Sequence, residues 1–171
     1  MLTVPEIQMT PASELDIALD FADLGVISAA AWSDLSPLTE ISSTFDDTSA
    51  TIRLGAASGV AGTLYRPTVT LTHAGGTWVQ PIHVTVLARI VVAELQLAAG
   101  TVITIGPIAW SEIIGDDPIA SRVWSVSGSV TGASTSATIA ITVAAGLGYA
   151  TEHIVTASGQ EDERSYWVMG V

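Results

Sequence analysis

The feature that most limits what this chain can fold into is an internal repeat. Phe21-Ala22-Asp23-Leu24 aligns with Trp110-Ser111-Glu112-Ile113, and residues 27–33 align with 119–125, so that Trp32-Ser33 falls on Trp124-Ser125. Ser49-Ala50-Thr51-Ile52-Arg53-Leu54 aligns with Ser136-Ala137-Thr138-Ile139-Ala140-Ile141, Gly62 with Gly148, and Val69-Thr70 with Val155-Thr156. The segments come in the same order in both halves, about 90 residues apart. An all-β chain of two tandem β-sandwich units follows, the first over 1–88 and the second over 89–171. At roughly 75 residues of regular structure each, such units have small cores and are expected to pack on each other or on partners.

The local pattern supports strands. Thr68-Val69-Thr70-Leu71-Thr72 alternates apolar and polar side chains, as does Ile82-His83-Val84-Thr85-Val86, which is the signature of a sheet with one buried face. His73-Ala74-Gly75-Gly76 lies between them, so the two runs are expected to form a hairpin. Residues 152–157 and 164–168 predict another hairpin, turning through Ser158-Gly159-Gln160-Glu161-Asp162. The second unit is expected to open with a leading hairpin over 91–105, turning at Ala98-Ala99-Gly100. Residues 13–24 alternate more as a strand than as a helix, with a short helical turn at 21–24. The Gly-rich pieces 55–62 and 144–148 lack the Gly-Lys-Ser/Thr ending of a phosphate loop and are expected to connect strands.

Composition narrows the function. There are 17 acidic residues against 5 basic ones, no Cys, a formal charge of -12, and 49% hydrophobic residues. Nucleic-acid binding draws on Lys and Arg displacing counterions from phosphates, so nucleic acid is not an expected partner. No thiol nucleophile, disulfide scaffold or thiolate zinc site is available. The most apolar stretch, 82–105, is interrupted by Arg89, Glu94, Gln96 and Gly100, so no membrane-spanning segment is expected. Residues 1–13 show no basic-then-apolar export signal, and a cytosolic origin is the expectation.

No residue set predicts catalysis, a cofactor or a metal. His73, His83 and His153 lack the spacing of a helical zinc site and are read as turn or sheet-face residues. Asp46-Asp47, Asp116-Asp117 and Glu161-Asp162-Glu163 lack the spaced pattern of a calcium loop and are read as solvated loop tips. Among five tryptophans, Trp32 and Trp124 occupy equivalent strand positions, and Phe21 and Trp110 equivalent positions ahead of them. These four are the expected core anchors, as a buried aromatic is in immunoglobulin-like folds. Trp78 and Trp167, on the closing hairpins, are the candidate partner contacts.

Written out, the repeat runs acidic-aromatic-Ser-x-x-Leu, a Gly-Asp turn, a Trp strand, Ser/Thr-x-Thr-x-x-Leu, an Ala-Gly-Thr-x-Tyr turn, a Val-Thr strand, and Asp-Glu-Arg-Ser before the last strand. The first copy carries Asp20-Phe21-Ala22-Asp23-Leu24, Trp32, Ala50-Thr51-Ile52-Arg53-Leu54 and Ala61-Gly62-Thr63-Leu64-Tyr65. The second carries Trp110-Ser111-Glu112-Ile113, Gly115-Asp116-Asp117, Trp124 and Asp162-Glu163-Arg164-Ser165. The first copy has Thr77-Trp78-Val79-Gln80 in place of Asp-Glu-Arg-Ser, and the second has Gly148-Tyr149-Ala150-Thr151 in place of the Gly-Thr-x-Tyr turn. This pattern resembles the fibre-tail adaptors of tailed bacteriophages. The resemblance implies tandem immunoglobulin-like modules and a structural, non-enzymatic virion protein that links tail to tail fibres. It also implies other virion proteins as partners, a homo-oligomer in a ring, and assembly in the host bacterial cytoplasm. Capsid decoration, a head-to-tail joint, and a carbohydrate-binding or adhesin module are the alternatives.

Overall fold

The structure is a computed structural model that describes residues 4–135 and 137–171, in two compact units covering 1–88 and 89–171. Ser136, one of the aligned repeat residues, lies outside the described residues. Both units are built almost wholly of strands, and among the described residues no helix is long and apolar enough to cross a membrane.

In the first unit the strands are β1 (Glu6–Met9), β2 (Glu14–Asp20), β3 (Ile27–Ser33), β4 (Thr39–Phe45), β5 (Ser49–Gly55), β6 (Thr63–Tyr65), β7 (Thr68–His73), β8 (Gly76–Pro81) and β9 (His83–Val86), with a 3-10 turn at Ala22–Leu24. One layer is the antiparallel set β2–β5–β4. The other is β3–β7–β8, continued along the chain by β6–β9, with β1 parallel to β9. Pro67 and Pro81 explain the interruption, because a residue without an N–H cannot complete a ladder. The Ile82 N–H bridges the gap to the Pro67 carbonyl at 2.8 Å.

Period-two patterning makes the core. Leu15, Ile17 and Leu19 on β2 stand opposite Leu54, Ile52 and Ala50 on β5, and all six are buried. Val69, Leu71, Val84 and Val86, each fully buried, close the core from the other layer. Each such aliphatic side chain contributes about 1.5–3 kcal/mol by leaving water. On the opposite face of β2 and β5, Asp16 and Arg53 face each other and pair through two contacts of 2.7 Å.

The second unit contains β10 (Val91–Leu97), β11 (Val102–Ile105), the single-turn helix α1 (Ser111–Ile114), β12 (Ile119–Ser134), β13 (Ile139–Thr156) and β14 (Glu161–Gly170). The long hairpin of β12 and β13 serves both layers. Its distal part, 130–134 against 139–143, is joined by β11, and its proximal part, 119–128 against 148–156, is joined by β14 and then β10. The switch occurs at Gly128, which has φ +70° and lies opposite Gly148. A Cβ on Gly128 would sit 2.3 Å from the Leu147 carbonyl oxygen, so only glycine lets the two strands cross this closely.

Both units have the same layout: first strand parallel to the last, then two antiparallel layers joined across the sandwich. The chain is all-β, two tandem immunoglobulin-like β-sandwich units. The turn after Phe21 and helix α1 after Trp110 hold equivalent places, and Phe21, Trp110 and Trp124 are buried. Trp32 is only half-buried, and its register partner on β7 is Val69.

Three expected elements differ. Residues 91–105 do not form a hairpin: β10 joins β14 in parallel while β11 joins β13, so the two strands enter opposite layers. Immunoglobulin-like topology explains this, because the first strand closes against the last rather than against its neighbour. The partner of β7 is Gly76–Pro81 rather than 82–86, whose strand β9 pairs instead with β1 and β6. The Gly-rich run 144–148 lies within β13 and carries it from one layer to the other.

Candidate contact surfaces

Trp167 lies on β14, opposite Glu94 on β10 and Tyr149 on β13. It is half-buried and, with Glu94, Leu95, Gln96 and Met169, lines an open groove of about 410 Å³. Its indole Nε1 is enclosed without a hydrogen-bond partner, so the groove is offered the ring and not the N–H. Next to it on the same sheet, the Arg89 guanidinium stacks 4.0 Å from the Tyr149 ring centre and donates to Thr151 Oγ1 at 2.9 Å. Thr151 and Ser165 hydroxyls are themselves bonded at 2.8 Å. Cation–π and hydroxyl contacts therefore fix this arginine along the sheet.

Trp78 lies on β8 in the first unit and is 38% exposed, beside Val79 at 57%. Its register partner is the fully buried Leu71, which places the indole on the inner side of β8 at the rim of the sandwich. The two candidate contact tryptophans are thus on different units and in different settings.

Most ionisable groups that are buried are locked together inside the second unit. Glu152, fully buried on β13, accepts from the Ile108 N–H at 2.7 Å, from Trp110 Nε1 at 3.0 Å, and from Arg122 Nη1. Asp162, also fully buried, accepts from Arg164 through Nε and Nη2, each at 2.7 Å. Register places Arg164 opposite Glu152 and Asp162 opposite Ile154, so all four charged groups share the inner face. The Glu161-Asp162-Glu163 run is accordingly not a solvated tip throughout: strand alternation turns Asp162 inward. Burial, and secondarily the charge of Glu152, holds the Tyr166 hydroxyl above its usual 10.0. Tyr166 stacks with Trp124 at a centroid distance of 6.4 Å.

The remaining acidic runs organise turns. The Thr48 N–H, with the Ser49 hydroxyl and N–H, holds the Asp46 carboxyl below the usual 3.8, and Asp46 Oδ1 accepts from both amides at 2.8 and 2.7 Å. Asp117 is held below 3.8 first by the Ser158 hydroxyl at 2.6 Å, and so ties the start of β12 to the β13–β14 turn. His73 Nδ1 accepts from the Gly75 N–H at 3.2 Å, His153 stands 3.6 Å from Glu161, and His83 lies on β9 opposite Glu6. Among the described residues no three His, Cys, Asp or Glu side chains converge as a metal site.

Sequence reasoning missed Glu152, Arg122 and Arg164. The signal was present: Glu152 is in phase with Ala150 and Ile154, both wholly buried.

No family model and no curated protein matches the chain. Among solved structures it is similar to a pair of titin tandem Ig domains, at 10% identity over 98% of this chain and 94% of that one, with a TM-score of 0.35. It is similar to fibronectin(III)-like modules of Clostridium thermocellum CbhA at 15% identity over 98% and 90%, with a TM-score of 0.33. A third likeness is to an endo-fucoidan hydrolase of glycoside hydrolase family 107, at 10% identity over 99% of this chain, with a TM-score of 0.39. The chain spans 28% of the length of that hydrolase and 32% of a second one. Likeness at such identity concerns the fold alone.

Proposed function

We propose that the chain is a structural protein of a tailed-bacteriophage virion, an adaptor that links the tail to the tail fibres through protein–protein contacts. In this reading it assembles in the host bacterial cytoplasm and works as a homo-oligomer in a ring. One observation carries the reading: the residues of the fibre-tail adaptor pattern are used up by the fold. Asp162 and Arg164 form an interior ion pair, Ser165 bonds Thr151, Trp124 is buried, and Phe21 and Trp110 stand ahead of the short helical turns. What remains for a task is surface, chiefly the Trp167 groove and exposed strand edges, which suits a protein whose work is to be gripped by neighbours.

Imaging of purified particles tests the proposal. Density for two sandwiches between tail and fibre, and fibreless particles when the gene is deleted, are the expected results. Density on the capsid or at the head-to-tail joint would move the protein to those places, and absence from the particle would overturn the proposal. A second reading, a carbohydrate-binding or adhesin module, is favoured by Trp167 standing in a groove with Glu94 and Gln96. Glycan-array binding that Trp167→Ala abolishes would select it.

A further inference from the structure

We infer that the free edge of β4 in the first unit takes up an added strand from another protein, an extended segment with apolar residues at alternate positions and Lys or Arg at both ends.

Among the described residues β4 pairs only with β5, and all seven of its residues are exposed. An uncovered edge of this kind is normally blunted by Pro, by Lys or by an inward charge. Glu40, opposite the fully buried Leu54, is an inward charge at one end of β4, and none of these devices stands between Ser42 and Phe45. The bulge between Glu40 and Ser42 protects one end only and leaves 42–45 regular. The Asp46 N–H bonds the Ser49 carbonyl at 3.0 Å, and antiparallel alternation then makes Thr44 and Thr51 the next bonded pair. Ser43 and Phe45 consequently turn their N–H and C=O groups away from β5, two donors and two acceptors set for a further strand.

The side chains say what kind of strand. Phe45 is 47% exposed although it stands opposite the fully buried Ala50, so the sandwich is open at this rim and offers apolar surface to the inward residues of a newcomer, whereas Ile41, 44% exposed in the bulge, packs over Gly55 on the other face. Glu40 lies on one side of the 41–45 run, and Asp46 and Asp47 lie on the other. Basic ends on the added segment complement both. A second copy lacks the basic ends that complement them, and antiparallel self-pairing centred on Ser43 sets Glu40 directly against Asp46, like charges that oppose pairing in that register. The corresponding edge of the second unit, Thr131-Gly132-Ala133-Ser134, lacks large apolar residues, so the feature belongs to the first unit. The inference stands on this edge and does not require the virion reading. A chain absent from particles leaves it intact.

The test is hydrogen exchange by NMR on the whole chain with the peptide Lys-Lys-Val-Thr-Val-Thr-Val-Lys-Lys. At saturation the Ser43 and Phe45 amides should exchange about tenfold more slowly or better, while Thr44, already bonded to β5, changes little. Ser43→Pro should abolish the effect, since it removes an outward donor and none of the β4–β5 bonds. Should that variant not fold, Glu40→Lys with Asp47→Lys decides, because preference should pass to the same peptide with Glu at its ends. Unchanged exchange at Ser43 and Phe45, equal protection by the Glu-ended peptide with the unaltered chain, or a dimer already protected there without peptide would each overturn the inference.

Discussion

Glu152 is the residue whose removal the structure prices most clearly. Glu152→Ala deletes a fully buried carboxylate and leaves the Ile108 N–H and the Trp110 Nε1–H enclosed without an acceptor. Each orphaned buried donor costs about 1–3 kcal/mol. Arg122 loses its partner as well, but its side chain is 24% exposed and rehydrates in part, which keeps its share below the about 3–5 kcal/mol of a fully buried broken pair. The two donors alone come to about 2–6 kcal/mol, a large fraction of what holds a unit of this size folded. Glu152→Gln keeps one acceptor oxygen and should cost about 2 kcal/mol, because its NH2 group faces another donor. Native-state hydrogen exchange at Ala150 and Ile154 reads the second unit alone, free of the first unit's unfolding. Protection there should fall in the order wild type, Glu152→Gln, Glu152→Ala. A loss under about 1 kcal/mol for Glu152→Ala would refute the reasoning, as would equal effects for the Gln and Ala variants.

Further outcomes follow from other parts of the structure. Gly128→Ala forces a left-handed backbone and a Cβ against the Leu147 carbonyl, and should cost more than about 2 kcal/mol, measured by urea unfolding. Because the folded chain holds Asp46 below its usual 3.8, its contribution is present above that value and is lost as pH falls through the folded one. Asp46→Ala should therefore narrow the stability difference between about pH 6 and about pH 3, seen in thermal melts. Tyr166 has the opposite sense: its raised folded value means that stability is full below the unfolded value and declines as pH rises above about 10, and Tyr166→Phe should flatten that alkaline limb. Trp167→Ala should leave the melting temperature within a few degrees of wild type and, on the proposed adaptor role, reduce co-sedimentation with purified phage particles.

The sequence made the fold readable where side chains alternate cleanly. The Thr68–His73 strand and the β13–β14 turn stand out because apolar and polar residues keep strict phase over several positions. Pairing partners were harder to read. Nothing local in 91–105 says that β10 runs parallel to a strand some seventy residues away, because strand partners depend on how the layers close and not on the run itself. The glycines at 146 and 148 read as a loop because a strand that changes layers needs the same small residues as a turn. The inner ion cluster is hidden for a different reason: Glu161-Asp162-Glu163 reads as one charged block in the sequence, whereas period-two geometry assigns its middle member to the interior and leaves its neighbours half-buried. Trp78 and Trp167 came from placement on the closing hairpins, and the groove beside Trp167 depends on Glu94 and Gln96, which only the parallel pairing brings near.

That same parallel pairing decides how each unit meets tension. Since β1 runs alongside β9, and β10 alongside β14, with matching direction, a pull on the two ends of a unit slides these ladders past each other lengthwise. Every hydrogen bond in the ladder is then strained at once, and none is unzipped singly. Rupture under force becomes a question of unfolding rate rather than equilibrium stability, and the four-residue ladder Glu6–Met9 with His83–Val86 is the shorter of the two clasps and the first expected to shear.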